Sequence, residues 1–171
     1  MKIQKYNNLG TLLIFFISFI YCNESQSQVQ SMSGPRLGIT LLAPGETADI
    51  LTNQESSPSA FMTQYGWQWE SRFADGGEIT GLVEWVLLAG GMERGKFLPS
   101  VNSLVGFRTI EGFELGIGPS LTLGGIGMVF GIGFTGTSGK LNIPINFVFS
   151  PKKEDSGSAF SVLIGFNMNK N

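Results

Sequence analysis

From residue 35 onward the chain alternates with a period of two, and the two faces this creates are unlike each other. Residues 113–123 put Phe113, Leu115, Ile117, Leu121 and Leu123 on one side and Glu114, Gly116, Gly118, Ser120 and Thr122 on the other. The next segment sets Ile126, Met128, Phe130, Ile132 and Phe134 against Gly127, Gly131, Gly133 and Thr135. Leu141, Ile143, Ile145, Phe147 and Phe149 oppose Asn142 and Asn146, and Tyr65, Trp67, Trp69 and Phe73 oppose Gly66, Gln68, Glu70 and Arg72. A side-chain period of two belongs to strands, and no segment after residue 35 sustains a helical stripe. The chain is therefore all-β, with strands expected at 35–43, 65–74, 78–90, 97–109, 113–123, 126–135, 140–150 and 158–168. The stretch between the first two is a polar loop, with one helical turn expected around Glu46 to Leu51.

Two architectures can use such strands. A soluble barrel would place the large apolar face inside and bind an apolar ligand there, as a periplasmic protein could. A membrane barrel places that face toward lipid around a narrow polar lumen. The second face here is rich in glycine and poor in lysine, which suits a crowded lumen better than a water-facing strand surface. Charged residues make up only 14% of the chain, against about 25% in ordinary soluble domains. The membrane arrangement is the favoured one.

Loop lengths support a meander. Residues facing each other across a hairpin share a face, so the parity of each loop follows from the faces it joins. The 97–109 and 113–123 segments need an odd connection, and Ile110-Glu111-Gly112 supplies three residues with glycine last. Asp75-Gly76-Gly77 does the same between the second and third strands. The sixth and seventh need an even one, met by Gly136 to Gly139 or by two residues if the flanking glycines pair. Gly124-Gly125 makes a tight link between the fifth and sixth. The longer polar connections, around 45–64, 91–96 and 151–157, fall at the opposite rim from most of the tight turns. Phe97 and Phe107 bracket one strand: ten steps of ~3.3 Å at ~45° tilt rise ~23 Å, close to the ~25 Å apolar band of a membrane barrel. Phe73, Phe107, Phe113 and Phe134 gather toward the tight-turn rim, and Tyr65, Phe97, Phe149 and Phe160 toward the loop rim. Pro119 and Pro144 fall inside strands, where each deletes one ladder donor.

Ahead of the strands lies an export signal. Lys2 and Lys5 precede an apolar run from Leu12 to Tyr21, too short to span a bilayer as a helix. Ser25 and Ser27 place the cut after Ser27, giving a signal peptide over 1–27 and a single barrel domain over 28–171. Cys22 raises lipidation as an alternative, although the bulky Tyr21 precedes it. With that cut the mature chain holds no cysteine, and no histidine occurs anywhere, so disulfides and His-based metal sites are excluded. A net charge of −2 offers no footprint for nucleic acid.

Turn parity sets Arg108 opposite Glu114, both inward. Glu70, Arg72 and Glu84 also point inward, with Gln68 expected to face Glu84. Buried charges must be paired, so a lumen ion network of Glu70, Arg72, Glu84, Arg108 and Glu114 is expected, chiefly as a polar plug. Conduction past it and acid–base chemistry by Glu70 and Glu84 are the weaker alternatives; substrate could not reach them, and no enzyme is expected. Gly131, Gly133 and Gly136 match the dinucleotide fingerprint in spacing but are followed by a strand, not the helix the motif needs, and no cofactor is expected. Trp67 and Trp69 could form a sugar platform, but lipid or core packing is the commoner cause of such a stripe.

On these features the segment 35–168 resembles the small eight-stranded outer-membrane β-barrel proteins, in architecture and not through a diagnostic motif. The resemblance implies an antiparallel up-and-down meander in the outer membrane. It also implies a structural, surface-interaction or adhesion-like role, with membrane lipid or lipopolysaccharide as partner. The last strand departs from the terminal aromatic common in those families, since the chain runs on to Asn171.

Overall fold

The computed structural model describes residues 32–54, 56–152 and 156–168. The expected signal segment, Cys22 and residues 169–171 lie outside the described residues. Eight strands follow in chain order: β1 (Gly34–Leu42), β2 (Ala60–Asp75), β3 (Ile79–Gly90), β4 (Leu98–Thr109), β5 (Phe113–Thr122), β6 (Gly125–Ser138), β7 (Leu141–Ser150) and β8 (Ala159–Gly165). Each pairs antiparallel with the next, and β8 returns to β1 from Arg36↔Gly165 to Leu42↔Ala159, closing the sheet into a barrel. Beyond Phe166 the last strand resumes as β9, Asn167–Met168, beside the start of β7. A helix, α1 (Glu46–Thr52), lies in the β1–β2 connection, and a single 3-10 turn (Met92–Arg94) lies between β3 and β4.

The large apolar face is outside. Leu37, Ile39, Trp67, Trp85, Ile132 and Phe147 are all exposed, the last two at 46% and 56%. The soluble arrangement, with that face inside, is not the one adopted. The interior has three levels. Toward the tight turns it holds charged and amide side chains. The middle is apolar, built from Val86, Leu88, Leu104, Val129 and Leu163. Leu104 fills the space left by Gly116 and Gly131, where an added Cβ would lie 3.4 and 3.3 Å from its Cδ2. At the loop rim Ala48 and Leu51 of α1 pack on Leu42, Ala60, Met62 and Leu98, so the helix sits over the end of the barrel.

The turns refine the expected registers. Gly112 closes the β4–β5 loop at φ 89°, the left-handed conformation that admits glycine most readily. Ser138 pairs with Leu141 and Gly136 with Ile143, so the flanking glycines do not pair and the turn moves to the two residues Gly139-Lys140. Thr122 pairs with Gly125, moving the β5–β6 turn to Leu123-Gly124. Between β2 and β3 the expected three-residue loop is replaced. Asp75 pairs with Thr80 beyond a four-residue link, and a bulge at Phe73 restores the parity of the faces. β2 also begins at Ala60, five residues earlier than the alternation marks. Its first residues pair with β1 and bury Ala60 and Met62 under α1.

Both strand prolines sit at interruptions of one ladder while staying paired on their other side. Pro119 pairs with Met128 of β6, but the β4–β5 register stops at Asn102↔Ser120 and resumes at Val105↔Ile117. Pro144 pairs with Thr135 of β6, and on the β8 side the register breaks between Ile145↔Ile164 and Asn142↔Asn167. A closed barrel thus hosts proline at the cost of a local gap.

Candidate functional site

The tight-turn half of the interior collects six charged side chains from five strands, because every one occupies an inward position of the alternation. Arg108 of β4 is the hub and is 2% exposed. Its Nη1 and Nη2 donate to the two carboxylate oxygens of Glu70 at 2.9 and 2.5 Å, a bidentate pair. Its Nε donates to Glu114 Oε1 at 2.5 Å. Glu84 Oε1 lies 3.9 Å from Nη2. Arg72 Nε donates to Glu70 Oε1 at 3.3 Å. Glu114 also accepts from Thr135 Oγ1 at 3.1 Å and from Asn146 Nδ2 at 3.4 Å.

The register corrects one expected contact. Gln68 stands opposite Val86, and it is Glu70 that faces Glu84 directly. The two-position shift comes from the bulge and the longer β2–β3 link. Gln68 reaches Glu84 diagonally, its Nε2 donating to Oε1 at 2.5 Å. Two carboxylates directly opposite each other repel. The Arg108 guanidinium, which touches both, offsets that repulsion.

Arg36 is the member that sequence reasoning missed, and it is 1% exposed. Its Nε donates to Gln68 Oε1 at 2.9 Å, its Nη2 to the Met32 carbonyl at 2.8 Å and its Nη1 to the Pro35 carbonyl at 3.1 Å. The signal was present: in Arg36 to Leu42 the outward set is Leu37, Ile39 and Leu41, which leaves Arg36 and Thr40 inward. With Arg36 included, three guanidiniums (Arg36, Arg72, Arg108) meet three carboxylates (Glu70, Glu84, Glu114), and the formal charge of the cluster is zero. The chain entering β1 closes over this end: Met32 N donates to Glu70 Oε2 at 3.3 Å, and Glu70 N donates to Ser33 Oγ at 2.9 Å.

The loop rim has its own polar clasps. Glu93 accepts from Thr63 N at 3.0 Å and from Thr63 Oγ1 at 2.6 Å, and Lys96 Nζ donates to Asn53 Oδ1 at 2.6 Å. Desolvation is the largest single influence and raises the Glu93 carboxyl, but the hydrogen bonds from Thr63, the Glu93 backbone amide and the charge of Arg94 together outweigh it and hold it below the usual carboxylate range. Among the described residues no group of three or more His, Cys, Asp or Glu side chains is placed to hold a metal ion.

No family model matches the chain, and no curated protein matches its sequence. Among solved structures it is similar to Ail, the attachment invasion locus protein of Yersinia pestis. The identity is 14% and the TM-score 0.29, over 82% of this chain and 99% of that one. A structure of Ail in complex with the heparin analogue sucrose octasulfate matches with the same values. The closed eight-stranded meander, apolar side out, is the architecture of the small outer-membrane barrels.

Proposed function

We propose that this chain is an outer-membrane barrel with a structural, surface-interaction or adhesion-like role. Its strands face lipid or lipopolysaccharide, and its lumen is closed by the ion network. The observation that carries the reading is the inversion of the faces. Leu37, Trp69, Trp85, Ile117, Ile132 and Phe147 stand exposed on the outside while Arg36, Arg108 and Glu114 are buried within. Water on that outer surface would leave a continuous apolar belt unburied, whereas hydrocarbon matches it. The described residues of the β1–β2, β3–β4 and β7–β8 connections share one rim, and α1 with the Glu93 and Lys96 clasps gives that rim a defined shape. Such a rim supports contact with a partner outside the cell. The cluster of Arg108 with Glu70 and Glu114 supports a structural plug, with neither catalysis nor conduction assigned to it.

Fractionation tests the proposal. The expressed protein should sediment with the envelope, resist carbonate and urea extraction, and migrate differently on a gel before and after heating. Full solubility without detergent overturns it. Planar-bilayer recordings should show no ion current, and steady conductance altered by Glu114→Gln would overturn the plug.

A further inference from the structure

Above the apolar middle layer the barrel interior continues as a cavity of about 120 Å³ that opens toward the loop rim, where Thr47, Leu123 and Ser156 line it. Its floor is Leu88, Leu104, Val129 and Leu163. About ten of the side chains along its wall carry a hydroxyl or an amide. Most of these are spent on neighbours. Thr40 Oγ1 donates to Gln64 Oε1 at 2.7 Å, Ser150 Oγ to the Met128 carbonyl at 3.3 Å and Ser156 Oγ to the Gly124 carbonyl at 3.3 Å. Three groups are not. The Gln64 amide nitrogen, the Ser100 hydroxyl and the Asn102 amide oxygen have no hydrogen-bond partner among the described residues, and each keeps surface open to the cavity. Gln64 and Ser100 are otherwise buried, at 5% and 8% exposure.

The strand register sets the three along one side of the wall. Gln64 of β2 pairs with Gly90 of β3, and Gly90 with Leu98 of β4, two residues before Ser100. Gly90 puts no side chain between them. Gln64 and Met62 lean into its place, where an added Cβ would lie 3.2 Å from Gln64 Cγ and 2.9 Å from Met62 Sδ. The wall therefore offers a donor, a hydroxyl and an acceptor above an apolar floor. Among the described residues no charged side chain lines the cavity, so a phosphate, sulfate, carboxylate or ammonium would enter it unpaired. Water alone would wet the leucines and valines, and a hydrocarbon would leave the three polar groups unsatisfied. A ring with C–H faces and hydroxyl edges meets both demands. The space approaches the cavity of about 150 Å³ that accepts benzene, so one six-membered ring is the size that fits.

We propose that this cavity binds one uncharged sugar residue, entering from the loop rim, with Gln64, Ser100 and Asn102 as its hydrogen-bonding contacts. The proposal deepens the surface-interaction reading and rests on it for the side from which the sugar arrives. The test folds the protein into phosphatidylcholine nanodiscs and titrates it with the methyl glycosides of glucose, galactose and mannose. Side-chain amide resonances of Gln64 and Asn102 and methyl resonances of Leu104 and Val129 report on the interior. At least one glycoside should shift all of these saturably. Gln64→Leu and Ser100→Ala should each weaken that binding by about fivefold, the effect of one net hydrogen bond. The wild-type titration decides the site even if a variant does not fold. No saturable interior shift with any of the three glycosides overturns the site. Shifts confined to Glu93 and Lys96 put the contact on the rim and overturn the interior site as well. An equal response to glucose 6-phosphate overturns the uncharged class, and an equal response to benzene overturns recognition through hydroxyls. A protein that stays soluble and lipid-free without entering the nanodisc overturns the membrane reading, and the same titration in buffer still decides the site.

Discussion

Replacing Arg108 with methionine removes five donors and one charge from the most connected point of the interior while keeping a side chain of similar length. Glu70 then keeps Arg72, at 3.3 Å, and the Met32 amide. Glu114 keeps only the bonds from Thr135 and Asn146, at 3.1 and 3.4 Å. Glu84 keeps Gln68. Three carboxylates would face two guanidiniums, with the Glu70 side chain at 0% and that of Glu114 at 6% exposure. Breaking a buried pair by deleting one partner costs about 3–5 kcal/mol, most of it the penalty on the charge left behind. Arg108→Met/Glu114→Gln restores two against two and should recover about 1–3 kcal/mol, the cost of an unsatisfied buried group. Urea unfolding from lipid vesicles measures both, read by tryptophan emission, since all three tryptophans lie on the outer face. A loss below ~1 kcal/mol for the single variant, the value of a solvent-exposed pair, would refute the argument by showing that water screens the cluster. A double variant no more stable than the single one would refute charge balance as the cause.

Other substitutions probe separate parts of the molecule. Ile132→Arg, in the outward belt, should destabilise the lipid-embedded barrel by about 2–4 kcal/mol in vesicle unfolding, and no loss would contradict lipid contact there. Gly112→Val forces a β-branched residue to φ 89° and presses its Cβ on the Thr135 carbonyl, so a loss of at least ~1–2 kcal/mol is expected by the same measurement. At the loop rim the Glu93 carboxyl is held low, so the Thr63 clasp is fully present above the ordinary carboxylate pKa and is lost only as pH falls through the lower, folded value. The Thr63 amide shift should therefore titrate below a glutamate of a disordered peptide in the same buffer, and coincident midpoints would show that the clasp does not form.

The two faces, the meander and the β4–β5 register were legible in the sequence because each depends on local geometry alone. A side-chain period of two assigns the faces, and a three-residue loop ending in Gly112 places Arg108 opposite Glu114 whatever the rest of the chain does. The β2–β3 register was not legible, because the bulge at Phe73 and the pairing Asp75↔Thr80 answer to the whole sheet and not to Gly76 and Gly77. Nor was the role of Arg36, whose partners Gln68 and Met32 lie on other strands or ahead of the sheet. The prolines show the division most clearly. Sequence marks Pro119 and Pro144 as missing donors; only the closed barrel decides which ladder bears each gap, since a strand with two neighbours can lose a bond to one and keep the other. Alternation alone left open which face is inside, because the same pattern serves core or lipid. Closure into eight strands decides it: a ring this narrow holds one layer of side chains, and glycine, serine, asparagine, paired charges and a short layer of valine and leucine fit there while the aromatic residues do not.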